Sequence, residues 1–217
     1  MTHILKSLET YQLNFRRRLP PKIQNRTLFM KPGIIAMDNF FPLAKHGWRG
    51  HSKLPVIVFV DVWSRYVRAY ALSRKNLENS AMALRLFLAS FASMGHVPRR
   101  ILADKGTDLP QRQARLIMEM YRQPRDGTDR LVINSATGHS VLVVENMNAQ
   151  IQRRLAVFRT SGLTDDPSTV LDEICSNHQK RPRRGNLTPI QLLSLSPTER
   201  QQVNEAYKKD FLISAAT

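Results

Sequence analysis

The sequence predicts a mixed α/β domain, and three observations carry that expectation. The segments after Gly33 are strand-like and consecutive: IIAMDNF, the unbroken apolar run LPVIVFVDVW, and SRYVRAYALS. Helical periodicity begins only afterwards, at Leu77. From there strands and helices alternate, and apolar residues make up 42% of the 217 positions, enough to build a core between sheet and helices.

IIAMDNF begins directly after Gly33 and opens the sheet. LPVIVFVDVW has no polar alternation, the pattern of a strand covered on both faces. SRYVRAYALS follows with almost no spacer, so the two form a hairpin through residues 61–65. Leu77, Ala81, Leu84, Leu88 and Phe91 then fall on one helical stripe. Asn76 or Asn79 caps the start of that helix and Gly95 ends it. RRILAD is a short strand, residues 111–122 suit a second helix, QPRDGTDR is a loop, and LVIN is a brief fifth strand. A helix from about Val143 carries Val144, Met147, Ile151, Leu155 and Phe158 on one face. Residues 165–178 and 188–209 are helical as well. Three strands followed by crossovers give a mixed sheet rather than a purely parallel one.

Charge narrows the class of partner. Thirty-three Lys and Arg against 17 Asp and Glu leave a net +16, a field that favours a polyanion, nucleic acid foremost. A solubilising or ribosome-like coating role is the blander reading of the same number. One cysteine, Cys175, excludes a disulfide framework and a cysteine-based zinc site within the chain. No apolar run reaches the roughly 18 residues of a membrane span, and the N-terminus lacks a secretory pattern. The expectation is a soluble, intracellular protein.

Phosphoryl transfer needs positioning, and cations to neutralise charge on the attacking and leaving oxygens. Two metals about 3.5–4 Å apart do both, and Mg²⁺ takes oxygen ligands while keeping several waters. Three acids from separate elements are therefore a minimal site. Asp38 lies within a core strand, where a carboxylate is costly unless paired or metal-bound. Asp104 ends RRILAD, at the strand terminus where ligands collect in α/β sheets. Glu145 sits in a first helical turn, one position off the apolar stripe. Each has a plainer reading: Asp38 pairs with an Arg, Asp104 caps a turn, and Glu145 suits a helix N-terminus. Asp61, inside VFVDVW, is a rival by the same burial argument.

At these residues the sequence resembles the catalytic core shared by retroviral, retrotransposon and Maverick/Polinton-type integrases, DDE recombinases with an RNase H-like fold. IIAMDNF resembles the first strand with its leading Asp, and FVDVWSRYVRAYALSRKN the second and third strands. ILADKGTDL resembles the block with the second Asp. GHSVLVVENMNAQIQRRL resembles the helix with the Glu and an Asn three residues later. SNHQKRPRRGNLTPIQLL is a weaker match. The blocks run in family order over residues 33–195, with 65 residues between Asp38 and Asp104 and 40 between Asp104 and Glu145. The resemblance implies an RNase H-like mixed five-stranded sheet flanked by helices. It further implies two Mg²⁺ or Mn²⁺ ions, with Asp38 bridging both, Asp104 completing one site and Glu145 the other. Asp61 falls where the family places no metal ligand. Asn148 then either touches DNA or orders the site; otherwise it is a solvated helix residue.

The departures are specific. Lys105 stands where Asn is common, placing a charge near phosphate or metal. Ala149 and Gln152 occupy positions where family helices carry Lys, and Arg153 and Arg154 either substitute for them or form a solvated face. His46 and His51 flank GWRG in the loop after the first strand, and a metal role is not expected of them. The chain divides into a basic N-terminal arm (1–32), a catalytic core (33–195) and a helical extension (196–217). In the arm, Arg16, Arg17 and Arg18 begin RRRLPPK; that run and KRPRR either contact phosphates or act as nuclear-import signals, and the plainer reading of both is a solvated surface. The resemblance implies 3′-end processing and strand transfer of element DNA into target DNA, by a homo-oligomer acting in the nucleus or, if viral, in a virus particle or the host cytoplasm. The alternatives are a catalytically silent DNA-binding or assembly protein, and a nuclease that cleaves without joining.

Overall fold

The computed structural model describes residues 32–42, 54–103, 109–121, 134–135, 142–162 and 166–216. Four strands form the sheet: β1 (Ile34–Phe40), β2 (Val56–Asp61), β3 (Val67–Ala71) and β4 (Arg100–Ala103). Their order is β3-β2-β1-β4, with β1 antiparallel to β2, β2 antiparallel to β3, and β1 parallel to β4. At the β4 edge, where a fifth strand was expected, a two-residue ladder of Asn134–Ser135 (β5) pairs in parallel with Leu102 and Ala103. Residues 131–133 of the expected strand lie outside the described residues. The sheet is mixed, as the run of consecutive strands required.

β2 is buried along its whole length, which explains why VIVFVD shows no alternation. In β1, by contrast, parity sorts the side chains. Ile35 and Met37 join one core with α1 (Leu77–Ser93), α2 (Gln111–Glu119), Ile101 and Ala103. Ala36 and Phe40 join a second core with Leu102, α3 (Leu142–Thr160) and α4 (Ser168–Gln179). The result is a three-layer α/β/α arrangement. On the first face Phe87 stacks on Phe59 at 5.1 Å and on Phe91 at 5.8 Å. On the second, Val144, Met147, Ile151 and Leu155 seat α3 on β1 and β2.

α1 begins where Asn76 accepts the Asn79 N–H at 2.9 Å, and ends at Gly95, which has φ +78°. Leu77 departs from the expected stripe: it is 41% exposed, and Ser80 is buried nearby instead. The helix expected over 188–209 is two helices, α5 (Pro189–Ser194) and α6 (Pro197–Ala216). Ser196 and Glu199 exchange capping hydrogen bonds there, and Pro197 has no N–H to continue α5. The first half of α6 is fastened to the sheet end. Asn204 Oδ1 accepts from Trp63 Nε1 at 3.0 Å and from Arg184 Nη1 at 3.2 Å, and Arg200 lies over the Trp63 ring. No helix among the described residues is long and apolar enough to cross a membrane.

Candidate active site

Strand alternation turns Asp38 to the face covered by α3. It is half-buried and stands one residue beyond Met37, which pairs with Ala103, the last residue of β4. β1 and β4 run parallel, so their carboxyl ends lie side by side, the position at which α/β sheets assemble ligand sites. Both carboxylate oxygens of Asp38 are oriented. Oδ1 accepts the Asn39 N–H at 2.8 Å, and Oδ2 accepts the Asn148 side-chain amide at 2.8 Å across 110 residues.

Asn148 reaches Asp38 because Val144 and Met147 bury the preceding turn of α3 against the sheet. It is 6% exposed, which excludes the reading as a solvated helix residue. Its Oδ1 is buried with no hydrogen-bond partner, so an acceptor oxygen remains unsatisfied next to the Asp38 carboxylate. Glu145 lies in the first turn of α3 and is exposed, with no hydrogen bond or ion pair among the described residues. It precedes Asn148 by three positions, so the two share one helix face. Asp104 and Lys105 follow Ala103 in sequence; both lie outside the described residues, as do Arg16, Arg17, Arg18, His46 and His51. Further along α3, Arg153 is exposed and Arg154 is half-buried beside His178 in a cleft.

Among the described residues, no three His, Cys, Asp or Glu side chains cluster closely enough to hold a metal. The donor chemistry around Asp38 nevertheless fits a hard divalent cation. It offers a carboxylate, an unsatisfied amide oxygen, and an exposed carboxylate one helical turn away.

Asp61, the rival acid, has a structural task. It is fully buried and accepts three hydrogen bonds: from Gly33 N–H at 2.8 Å, Ser64 N–H at 2.8 Å and Ser64 Oγ–H at 2.6 Å. Burial pushes its carboxyl above the ordinary range, while these donors act in the opposite direction. It clamps the start of β1 to the β2–β3 turn. The local signal was the Asp61–Ser64 spacing, the pattern of a side chain closing its own turn.

The fold resembles that of an integrase catalytic core. The structure matches the catalytic core domain of BIV integrase with a TM-score of 0.56 and 16% sequence identity, covering 78% of this chain and 97% of that one. No family model matches the sequence, and no curated protein matches it.

Proposed function

We propose that this chain is an integrase-type polynucleotidyl transferase that trims a 3′ end of DNA and joins it to target DNA. The Asn148–Asp38 hydrogen bond is the observation that carries the reading. It ties the helix bearing Glu145 to the strand bearing Asp38, at the end of the sheet beside Ala103. The likeness to the BIV integrase core supports the same reading at the level of the fold. The proposal requires Asp104 to continue the alternation of β4 by one residue, onto the face occupied by Leu102 and shared by Asp38.

Asp38, Asp104 and Glu145 are the residues to hold two Mg²⁺ or Mn²⁺ ions. When bound, such ions supply charge neutralisation at the attacking and leaving oxygens of an in-line displacement. The chain's own groups do the rest. Asn39 N–H and the Asn148 amide fix the Asp38 carboxylate. Glu145, exposed on its turn, is open to the substrate side. Lys105, Arg153, Arg154 and the arm residues Arg16, Arg17 and Arg18 contribute phosphate contacts, within a chain of net charge +16. In trimming, water attacks phosphorus and the bond to the leaving 3′-oxygen breaks. In joining, the freed 3′-hydroxyl attacks a target phosphodiester, and a second such bond breaks. Symmetric joining of two ends calls for a homo-oligomer.

A strand-transfer assay with a labelled duplex and Mg²⁺ or Mn²⁺ tests the proposal. Joined product that disappears in Glu145→Gln supports it. Nicking without joining points to a nuclease instead. Salt-sensitive DNA binding unaffected by Glu145→Gln, with no product from either protein, points to a silent binding module.

A further inference from the structure

Two neighbouring helices present apolar side chains to solvent. Met82 and Leu86 stand one turn apart on α1, and Leu116 and Met120 one turn apart at the end of α2. Met82, Leu86 and Leu116 are each at least half exposed, and Met120 is 71% exposed. The helices lie side by side: Tyr121 Oη–H donates to the Arg85 carbonyl at 3.2 Å, and Ala83, Phe87, Ala114 and Ile117 share one core beneath. Exposed Arg85, Arg112 and Glu119 on the same two helices give the apolar face a polar rim. Away from α1 and α2, the exposed large apolar residues among the described ones are scattered singly, as Phe41, Val157 and Ile190. Scattered residues are ordinary surface, whereas two such pairs on adjoining helices with a polar rim mark a docking face. The two methionines suit it to an irregular partner, because their side chains are flexible and polarisable.

The sequence of the arm contains a segment of matching chemistry. Residues 4–15 lie outside the described residues, and their sequence is ILKSLETYQLNF. On a helix, Ile4, Leu8, Tyr11 and Phe15 fall at offsets 0, 4, 7 and 11, a single apolar stripe. The segment holds one Lys and one Glu, so none of the net +16 comes from it. It is therefore unlike the Arg16–Arg18 run that follows, and phosphate is not its natural partner. A lone helix of this length is marginal in water, so its stripe calls for a surface to cover.

We propose that residues 4–15 form an amphipathic helix that docks on the face made by Met82, Leu86, Leu116 and Met120 of the same chain. The position of Gly33 supports this occupant. Its carbonyl accepts the Arg99 N–H at 2.8 Å and the Arg100 N–H at 3.2 Å, so the arm joins the sheet beside the end of α1. At about 1.5 Å rise per residue, Leu86 lies roughly 15 Å back along α1 from Gly95. Residues 16–32 can extend to about 55 Å, ample to return the segment to that face. A tether of this length also holds the segment at an effective concentration on the order of millimolar, which favours it over a second copy of the chain at micromolar concentration. The basic run RRRLPPK is then fixed at both ends. The inference is independent of the enzymatic reading.

Hydrogen exchange of the full chain, read by mass spectrometry over a range of chain concentrations, tests it. In wild type the amides of residues 4–15 are expected to exchange at least about tenfold more slowly than an unstructured peptide. Met82→Asp/Met120→Asp is expected to remove that protection, and Val157→Asp, on exposed α3, to leave it unchanged. Leu8→Asp approaches the contact from the other side and leaves the face intact. It is expected to speed peroxide oxidation of Met120 by about threefold or more, because docking shields the thioether. Matching thermal midpoints establish that the variants are folded. Unprotected exchange of residues 4–15 in wild type overturns the proposal. So does protection that survives Met82→Asp/Met120→Asp, or that Val157→Asp removes equally. Protection that grows with chain concentration assigns the face to a second copy instead. Unchanged Met120 oxidation in Leu8→Asp overturns the proposal even where the double variant does not fold.

Discussion

Replacing Asp61 by Ala separates a structural acid from a metal-binding one. The carboxylate accepts from Gly33 N–H, Ser64 N–H and Ser64 Oγ–H, all buried. The hydroxyl can rotate toward another acceptor, but the two backbone donors cannot. Each orphaned buried donor costs about 1–3 kcal/mol, and removing a desolvated acid returns part of that, so the net loss is about 3 kcal/mol. Asp61→Asn retains the shape but turns an NH₂ toward one of the donors, costing about 1–3 kcal/mol. The assay is urea unfolding at neutral pH, paired with metal-dependent joining under conditions where each variant remains folded. Joining per folded molecule is expected to equal that of wild type. A loss under about 1 kcal/mol refutes the clamp, and a folded Asp61→Ala chain that cannot join DNA places Asp61 among the metal ligands.

Four further outcomes follow from the same structure. Asp104→Asn is expected to abolish joining while leaving DNA affinity equal or tighter, measured by strand transfer and anisotropy on one preparation. Asn148→Ala removes a hydrogen bond to a carboxylate and should lower stability by about 2 kcal/mol, while raising the Mn²⁺ concentration needed for half-maximal joining. His178 is held at about 3 in the folded chain against an ordinary value of 6.5. Its contribution to stability is therefore complete above about pH 6.5 and is lost as pH falls toward 3, at up to roughly 1.4 kcal/mol per pH unit. Thermal midpoints of wild type should fall more steeply over that window than those of His178→Gln, and parallel curves would contradict the assignment. Gly33→Ala, at φ +91°, brings a Cβ to 2.6 Å from the Val97 carbonyl oxygen. It should lower the midpoint of thermal unfolding by several degrees.

The architecture was legible where burial leaves a one-dimensional mark. VIVFVD carries no polar residue before Asp61 because β2 is covered on both faces, and Asn76 and Gly95 bracket α1 because helix ends need a cap and a left-handed stop. Leu77 was misread because periodicity extends into a first turn whose exposure depends on what lies beneath it. The split between α5 and α6 was present as Ser196, Pro197 and Glu199, a capping signal masked by helical pattern on both sides. Asp38 was legible as an acid among Ile, Met and Phe. Its bond to Asn148 was not, since it depends on how Val144, Met147 and Ile151 seat α3 across β1. The burial of Arg184 was hidden for a related reason: a basic run reads as solvated surface until the turn at Gly185 and Asn186 folds it back.

The central claim is that Asp38, Asp104 and Glu145 meet around shared cations, and crystals soaked in Mn²⁺ test it most directly through anomalous scattering. The expected result is metal density within coordinating distance of carboxylate oxygens of both Asp38 and Asp104, with Glu145 beside it and Asp61 remote. Density confined to other sites, or an Asp104 side chain directed away from Asp38 in metal-soaked crystals, would contradict it.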